Sequence, residues 1–286
     1  LNPSSAASDV YKRQGLKSSF LDSDYQNNGA QILERNEILN QADIILNVSS
    51  ILQEPYLKEL KKNVILIGTY NPYEHSRSLN SLAYESISVI TLDLLPRISR
   101  AQSMDVLSSQ ANLAGYKAVI EASSIFKKAM PMMMTAAGTI IPAKCLILGA
   151  GVAGLQAIAT AKRLGCVVSA FDVRPEVEEQ VNSLGAKFVH VNEVKKTNNS
   201  ETVYAKEMSE EYKKKQAERI HEVAKEMDIV ISTALIPGKK APLLIKSNTI
   251  KSMKNGSILV DLASSAGGNI EGSIFGKKIF IGDTII

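Results

Sequence analysis

One segment, from Lys144 to Arg174, constrains the fold of this chain more than any other. An apolar run leads into a turn that contains three glycines, an alanine-rich stretch follows, and a second apolar run ends at Asp172. A strand, a glycine-rich turn, a helix, a second strand and a terminal acid thus come in the order that a dinucleotide-binding βαβ unit requires. The segment predicts a parallel sheet with helices packed on it.

Each glycine of this turn has its own physical reason. Gly149 lets the chain turn sharply off the strand, Gly151 leaves room for a pyrophosphate to approach the backbone, and Gly154 lets the helix pack closely on the sheet. Ala150 and Val152 complete the turn. N–H groups at the start of the helix, helped by the helix dipole, are then available to phosphates. A glycine-rich turn that only packs is the alternative.

The acid at the end of the second strand indicates which dinucleotide is bound. Asp172 lies 18 residues after Gly154, where a carboxylate accepts hydrogen bonds from the hydroxyls of the adenosine ribose. An acid at this position favours NAD, because it repels a 2′-phosphate. Arg174 is the counter-signal, since arginine can hold that phosphate. Asp172 ends the strand and Arg174 falls beyond it, so we predict NAD(H).

The composition is ordinary for a globular protein. The 286 residues suffice for two domains, and 45% of them are hydrophobic and 22% charged. Basic residues are dispersed and the net charge is only +4, so a nucleic-acid partner is not expected. No apolar run reaches the ~18 residues of a membrane-spanning helix. The two cysteines lie in apolar runs, which indicates buried thiols, and we expect no metal.

Both ends of the chain look unusual. The sequence starts at Leu1 rather than methionine, and residues 1–14 are rich in serine and alanine without periodicity. We expect them to be a non-native or disordered leader, with a targeting segment as the alternative. The chain stops just after a strand-like run at residues 278–281. We therefore expect a fragment that is truncated at both ends.

The remaining sequence predicts two Rossmann-like domains with parallel sheets, linked by a long helix after Pro96. We place an incomplete first α/β domain at residues 15–121 and an NAD-binding domain at residues 122–286. Methionines between Met130 and Met134 are predicted to be core residues. Residues 192–215 form either a solvated helix or a mobile loop. Strands predicted at 228–233 and 257–261 bring Leu235 and Asp261 to the edge where such sheets bind ligands.

Several longer motifs resemble a known family. From Arg97 to Tyr116 the chain closely resembles the NAD(H)-binding domain of the alpha subunit of proton-translocating NAD(P) transhydrogenases, in the alanine dehydrogenase/transhydrogenase family. The resemblance covers the chain from about Gly15 to its end. The other segments that carry it are residues 132–139, 151–165, 204–208, 233–238 and 260–263.

The resemblance implies an enzyme that transfers hydride directly between NAD(H) on this chain and NADP(H) on a separate domain, coupled to proton movement through a transmembrane domain. Two nicotinamide rings exchange hydride without a general acid or base, so alignment and exclusion of water are what the protein supplies. The family implies a homodimer beside a membrane, which is either the bacterial cytoplasmic membrane or the mitochondrial inner membrane.

The resemblance also implies roles for single residues. Arg97 would hold the nicotinamide carboxamide or its ribose, Gln102 would reach towards the second nucleotide, and Asp105 and Ser108 would complete the polar contacts around the ring. The residues implied at the adenosine end and the cleft are Asp172, Val173, Arg174, Val203, Tyr204, Gln216 and Leu235. Tyr204 would lie on a loop that closes over the nucleotide, and Val203 replaces the glycine that the family often has there.

Two other functions stay open. The first is an alanine dehydrogenase, whose chemistry requires a base and a substrate-binding cation. The histidine expected after the run at residues 64–68 is absent, because that turn reads Thr69-Tyr70-Asn71-Pro72 and His75 comes several residues late. The second is a module that binds NADH without catalysis.

Overall fold

The computed structural model describes residues 8–48, 56–96, 98–191, 210–236 and 238–286. Contacts divide the chain into two compact units, Leu1–Leu107 and Ser108–Ile286. The sequence places its boundary after residue 121 instead, so the two divisions differ in the unit to which the long helix is assigned. The bounds drawn from the sequence stay predictions.

The first unit contains two parallel sheets, each flanked by helices. The smaller sheet pairs β1 with β2, and the larger has the order β3-β4-β5. The strands are β1 (Ser8–Tyr11), β2 (Ala30–Leu33), β3 (Ile44–Asn47), β4 (Ile65–Gly68) and β5 (Ser88–Thr91). The helices are α1 (Asp22–Asn27), α2 (Arg35–Gln41) and α3 (Ser76–Tyr84), with 3₁₀ helices at Leu16–Ser18, Tyr56–Glu59, Leu92–Leu94 and Ser99–Met104.

Strand β1 is a difference from the sequence expectation. Its four residues pair in parallel with β2, from Ser8 against Ala30 to Tyr11 against Leu33. The sequence led us to expect a non-native or disordered leader at residues 1–14. The run Ser-Asp-Val-Tyr carries no alternation long enough to identify a strand, and its burial is only partial.

Tyr70 is the largest polar side chain in the core of the first unit. Its side chain is fully buried, and its hydroxyl donates a hydrogen bond to Asn47 Oδ1. Its backbone N–H donates to Asp93 Oδ2 at 2.6 Å. The loop after β4 is therefore fastened to β3 and to the turn after β5. Burial raises the pKa of Tyr70 to about 12, and the hydrogen bond to Asn47 lowers it by less.

This raised pKa predicts a loss of stability at high pH. The unfolded state loses the Tyr70 proton near pH 10, whereas the folded state holds it to about pH 12. The free energy of unfolding should therefore fall between those values, by up to about 1.4 kcal/mol per pH unit. Denaturant titrations of the wild type and Tyr70→Phe at increasing pH measure this, and the variant should show a shallower decline. Parallel curves would contradict the prediction.

The second unit is built on one seven-stranded sheet of order β10-β9-β8-β11-β12-β14-β13. All neighbouring strands are parallel except the last pair, β13 with β14. The predicted parallel sheets are thus confirmed. The strands are β8 (Lys144–Leu148), β9 (Val167–Phe171), β10 (Lys187–Phe188), β11 (Ile229–Ser232), β12 (Ile258–Asp261), β13 (Phe280–Ile281) and β14 (Thr284–Ile285). The helices are α4 (Val106–Ile125), α5 (Val152–Arg163), α6 (Glu178–Ser183), α7 (Glu210–Ala224) and α8 (Ser247–Lys251).

Both faces of this sheet are covered, which explains its continuous apolar strands. Cys145 and Ile147 of β8 face one core cluster, with residues of α4, α5 and α6. Leu146 and Leu148 face a second cluster, with residues of α7 and α8. Successive side chains of a strand point to opposite faces, so the four residues of β8 after Lys144 are each buried on one side or the other. The two free cysteines are buried, as the sequence indicated.

Helix α4 crosses the start of α5 at very close range. A Cβ atom on Gly115 of α4 would lie 2.1 Å from the carbonyl oxygen of Ala153. Only glycine permits such a separation, so the two backbones are in direct contact at this point. Leu113 and Tyr116 of α4 are exposed, so the apolar residues of this helix are not confined to the side that packs in the core.

A two-stranded hairpin corrects the interpretation of the methionine cluster. Strands β6 (Met133–Thr135) and β7 (Gly138–Ile140) pair antiparallel, and all six residues are exposed. Met130 is buried, as expected, but the side chains of Met132, Met133 and Met134 are exposed. Apolar composition predicted that these side chains lie in the core. In the described part of the chain, however, β6 pairs with β7 and the side chains of both strands are exposed.

Among the described residues, no helix combines the length and the apolar character needed to cross a membrane.

Candidate functional site

The glycine-rich turn joins β8 to α5 at the carboxyl edge of the large sheet. Gly149 has φ +98°, which L side chains rarely adopt, and its N–H donates to the carbonyl of Phe171 at 2.8 Å. A Cβ on Gly154 would lie 1.8 Å from the carbonyl oxygen of Gly149. A Cβ on Gly151 would meet nothing within 4 Å. Gly149 therefore allows the turn, Gly154 allows the close packing of α5, and Gly151 leaves open space beside the backbone.

Helix α5 begins at this open space. Its N-cap residue, Gly151, provides no side-chain hydrogen bond, so the first N–H groups of the helix keep their capacity to bind an anion. Lys162 and Arg163 lie in the last turn, where positive charge complements the dipole. Val152, the first residue of the helix, is one-third exposed. The turn can accept a diphosphate on its backbone.

Asp172 follows β9 and faces the same turn. Its Oδ2 accepts a hydrogen bond from the N–H of Ala150 at 2.7 Å. Its Oδ1 accepts one from the N–H of Arg174 at 2.9 Å. The guanidinium of Arg174 completes an ion pair, with Nε 3.0 Å from Oδ1 and Nη2 3.0 Å from Oδ2. The hydrogen bond with Asp172 raises the pKa of Arg174, with burial opposing it.

Helix α7 contributes a tyrosine and a glutamine. Burial raises the pKa of Tyr212, and the charge of Asp172 raises it further, so the tyrosine lies within electrostatic reach of that carboxylate. Gln216 comes one turn later and is buried. Val173 packs against the core cluster on this face of the sheet. Tyr212 is thus the residue of α7 that is coupled to the charge of Asp172.

The loop after β11 is fastened to the glycine turn. Thr233, the first residue after the strand, donates its hydroxyl to the carbonyl oxygens of Gly149 at 3.1 Å and Leu148 at 3.3 Å. A Cβ on Gly149 would come within 2.7 Å of Thr233 Oγ1. Leu235, two residues further on, has 53% of its side chain exposed. It therefore presents an apolar surface beyond the end of β11.

Asn269 holds this loop from the other side. Its side chain is fully buried, and its Oδ1 accepts hydrogen bonds from Ser232 Oγ at 2.8 Å and the N–H of Ala234 at 3.1 Å. Its Nδ2 donates to the carbonyls of Ala234 at 2.9 Å and Pro242 at 2.7 Å. All four hydrogen-bonding positions of the amide are used, so Asn269 fixes the peptide that precedes Leu235.

Asp261, expected near the cofactor, is hydrogen-bonded to the loop after β12. Its Oδ1 accepts a hydrogen bond from the N–H of Ala263. Its Oδ2 accepts hydrogen bonds from the N–H groups of Asn269 and Ile270 and from the hydroxyl of Ser273. This carboxylate therefore shapes the loop that carries Asn269.

The structure brings together only part of the predicted site. Gly149, Ala150, Gly151 and Gly154 belong to the turn and the start of α5, and Asp172 accepts a hydrogen bond from the N–H of Ala150 in that turn. Ser108 lies on α4 in the second unit, whereas Gln102 lies in the 3₁₀ helix Ser99–Met104 of the first unit and Asp105 follows that helix. Arg97, Val203 and Tyr204 lie outside the described residues. Roles for all of these residues stay predictions.

Sequence reasoning assigned no role to three residues of the site region. Thr233 directly follows an apolar strand at the ligand-binding edge, which was an available signal. Tyr212 precedes Gln216 by one helical turn, so the two share a face of α7. Asn269 follows two glycines, but its contacts with Ala234 span 35 residues of chain, and no local pattern identifies them.

The described part of the chain contains no group of three or more histidine, cysteine, aspartate or glutamate side chains arranged to hold a metal. Burial raises the pKa of Cys145 well above its usual range and that of Cys166 to about 11. Both thiols therefore stay protonated and unreactive at neutral pH. Among the described residues, the groups that come together at the glycine turn are backbone N–H groups, the carboxylate of Asp172 and the guanidinium of Arg174.

Two family models match almost the whole chain. The model described as "Alanine dehydrogenase/PNT, N-terminal domain" matches residues 9–114, and "Alanine dehydrogenase/PNT, C-terminal domain" matches residues 118–285. An NAD(P) transhydrogenase subunit alpha chain of Rickettsia prowazekii (strain Madrid E) is 48% identical over 268 residues, which are 92% of this chain and 70% of that protein.

A solved structure and a more distant relative complete the comparison. The crystal structure of the transhydrogenase from Sinorhizobium meliloti matches with a TM-score of 0.84 and 43% identity, over 98% of this chain and 76% of that one. The alanine dehydrogenase of Staphylococcus haemolyticus (strain JCSC1435) is 28% identical over 265 residues, which are 92% of this chain and 65% of that protein.

Proposed function

Because this chain belongs to the alanine dehydrogenase/PNT family, we propose that it is the NAD(H)-binding part of a proton-translocating NAD(P) transhydrogenase. The 48% identity to a transhydrogenase alpha subunit against 28% to an alanine dehydrogenase favours the first of the two activities. The turn at residues 69–72 also offers no histidine to serve as a base for amino-acid chemistry.

The observation that carries the proposal is the edge formed by the glycine turn and Asp172. The open space beside Gly151 accepts the diphosphate of the dinucleotide, where the N–H groups of α5 begin. The carboxylate of Asp172, hydrogen-bonded to Ala150 of the same turn, accepts the ribose hydroxyls. We assign the lining of the cleft to Leu235, Val173 and Gln216. The residues present thus fit a dinucleotide without a 2′-phosphate.

A bound nicotinamide supplies the hydride that is exchanged with NADP(H) on a partner domain. This chain then has to orient one ring and exclude water, with no proton to move at the site. We assign the orientation to Arg97, Gln102, Asp105 and Ser108, and the covering of the nucleotide to Val203 and Tyr204. Partners in the proposal are the NADP(H)-binding domain, a transmembrane domain and a second copy of this chain, at a bacterial cytoplasmic or mitochondrial inner membrane.

A reconstitution experiment tests this function. The chain is mixed with the separately produced NADP(H)-binding domain of a transhydrogenase, NADH and an oxidised NADP analogue whose reduction is followed by absorbance. We expect reduction of the analogue that depends on both proteins, because direct transfer requires both rings. Controls omit either protein or replace NADH by NADPH.

The two rival functions, a nucleotide-binding module and an alanine dehydrogenase, predict different results. Tight NADH binding without reduction of the analogue would identify a nucleotide-binding module. Steady oxidation of NADH with pyruvate and ammonia, in the absence of the second protein, would identify an alanine dehydrogenase. Either result would sink the transhydrogenase proposal.

A further inference from the structure

Four N–H groups occupy the carboxylate of Asp172. The backbone N–H of Ala150 and the Nη2 of Arg174 share Oδ2, and the backbone N–H and Nε of Arg174 share Oδ1, all between 2.7 and 3.0 Å. A carboxylate offers about four lone-pair positions, so a ribose hydroxyl of bound NAD(H) would have to take the place of one of these donors, and the other donors of Arg174 would keep the ion pair. Three of the four donors belong to one residue, so Arg174 is the main ligand of Asp172 in this structure.

The same contacts determine what Arg174 can do. An arginine at this end of a dinucleotide site usually holds a 2′-phosphate through its planar fork of donors. In this structure the Nε and Nη2 donors of Arg174 are both hydrogen-bonded to Asp172. The Arg174 side chain is 22% exposed and that of Asp172 only 6%. Part of the Arg174 side chain therefore remains accessible to solvent, while the buried carboxylate of Asp172 keeps its guanidinium in the ion pair.

We propose that Asp172 selects NAD(H) over NADP(H) by holding Arg174 in this ion pair, in addition to repelling a 2′-phosphate by its charge. Arg174 is then a latent receptor for a 2′-phosphate. This inference rests on the proposed function, since it concerns the adenosine end of the same site. It deepens that function by assigning nucleotide choice to a pair of residues rather than to the acid alone.

The two effects of Asp172 make different predictions for paired substitutions. If charge repulsion alone excludes NADP(H), neutralising Asp172 improves NADPH binding whatever residue stands at position 174. If Arg174 is withheld, the improvement requires the arginine. Asparagine is the conservative replacement, because its carbonyl oxygen can still accept the hydrogen bond from Ala150 while its lack of charge releases the guanidinium.

The experiment measures the dissociation constants of NADH and NADPH for four proteins: wild type, Asp172→Asn, Arg174→Gln and the double variant. We expect Asp172→Asn to bind NADPH on the order of tenfold more tightly than the wild type does, the effect of one released charge-assisted contact. It should bind NADH more weakly. Arg174→Gln and the double variant should show no gain for NADPH. Thermal melts of all four proteins check that they fold. If Asp172→Asn does not fold, Asp172→Ser takes its place, both alone and combined with Arg174→Gln.

Two results would overturn the inference. One is an equal NADPH gain in the double variant and in Asp172→Asn, which leaves repulsion as the whole effect. The other is no gain in Asp172→Asn at all. Both are distinct from failure of the proposed function, which would appear as a wild-type chain that does not bind NADH, or that binds NADH without reducing the analogue in the reconstitution experiment. Competition by 5′-AMP and 2′,5′-ADP, which differ only in the 2′-phosphate, repeats the measurement on the adenosine end alone.

Discussion

Replacing Gly154 by alanine should destabilise the chain by about 3 kcal/mol and abolish nucleotide binding. The added Cβ would lie 1.8 Å from the carbonyl oxygen of Gly149 and 2.8 Å from its carbonyl carbon. Both are backbone atoms of the turn, so no side chain can rotate away, and α5 has to move off the sheet. Overpacking of this kind costs up to about 3 kcal/mol. Denaturant titration and NADH titration measure the two effects.

Gly151→Ala is the matched control, because it makes the same chemical change three residues earlier. An added Cβ there meets no atom within 4 Å, and Gly151 has φ −80°, which any residue adopts. Stability should stay within about 1 kcal/mol of the wild type, while NADH binding weakens because the methyl group fills the space assigned to the diphosphate. Equal losses of stability in the two variants would refute the distinction between packing and binding glycines.

Asn269→Leu should cost about 4 kcal/mol of unfolding free energy. Leucine is of similar size but leaves Ser232 Oγ, both peptide groups of Ala234 and the carbonyl of Pro242 without the partner they have now. Buried groups without partners each cost about 1–3 kcal/mol, and partial relaxation keeps the total below their sum. Thermal and denaturant unfolding measure the loss.

Asn182→Leu provides the control for this substitution. Asn182 lies on α6 with an exposed side chain, and leucine is a better helix former than asparagine, so its stability should be unchanged or slightly higher. Asn269→Asp adds a second test, since aspartate keeps the acceptor but loses both donors to Ala234 and Pro242 and buries a charge. A mild effect of either substitution at position 269 would show that the loop after β11 is held by other contacts.

The parts of the fold that could be predicted are those that depend on neighbouring residues in the sequence. Strands β8, β11 and β12 are buried on both faces, and such strands appear in a sequence as unbroken apolar runs. The turn of Gly149 and the acid of Asp172 follow from backbone geometry and spacing. Strand β1 was missed because a half-exposed strand of four residues has no distinctive pattern.

Other features could not be predicted because distant contacts determine them. The exposure of Met134 depends on what packs against the hairpin, and apolar composition does not specify a partner. The role of Asn269 depends on bringing two strand ends together, so that its local sequence identifies only a turn. The sequence identifies Arg174 as a counter-signal to NAD. Its ion pair with Asp172 depends on the side-chain rotamer, which cannot be inferred from the spacing of the two residues.

The contact between Gly115 and Ala153 has a mechanical consequence. Where two helices meet through side chains, rotations about χ angles absorb small displacements. Where two backbones are in direct contact, no side chain lies between them to adjust in this way. Any shift of the first turn of α5 must therefore shift α4 by a similar amount. The helix and the turn form a stiff joint, so strain created at one of them reaches the other almost undiminished.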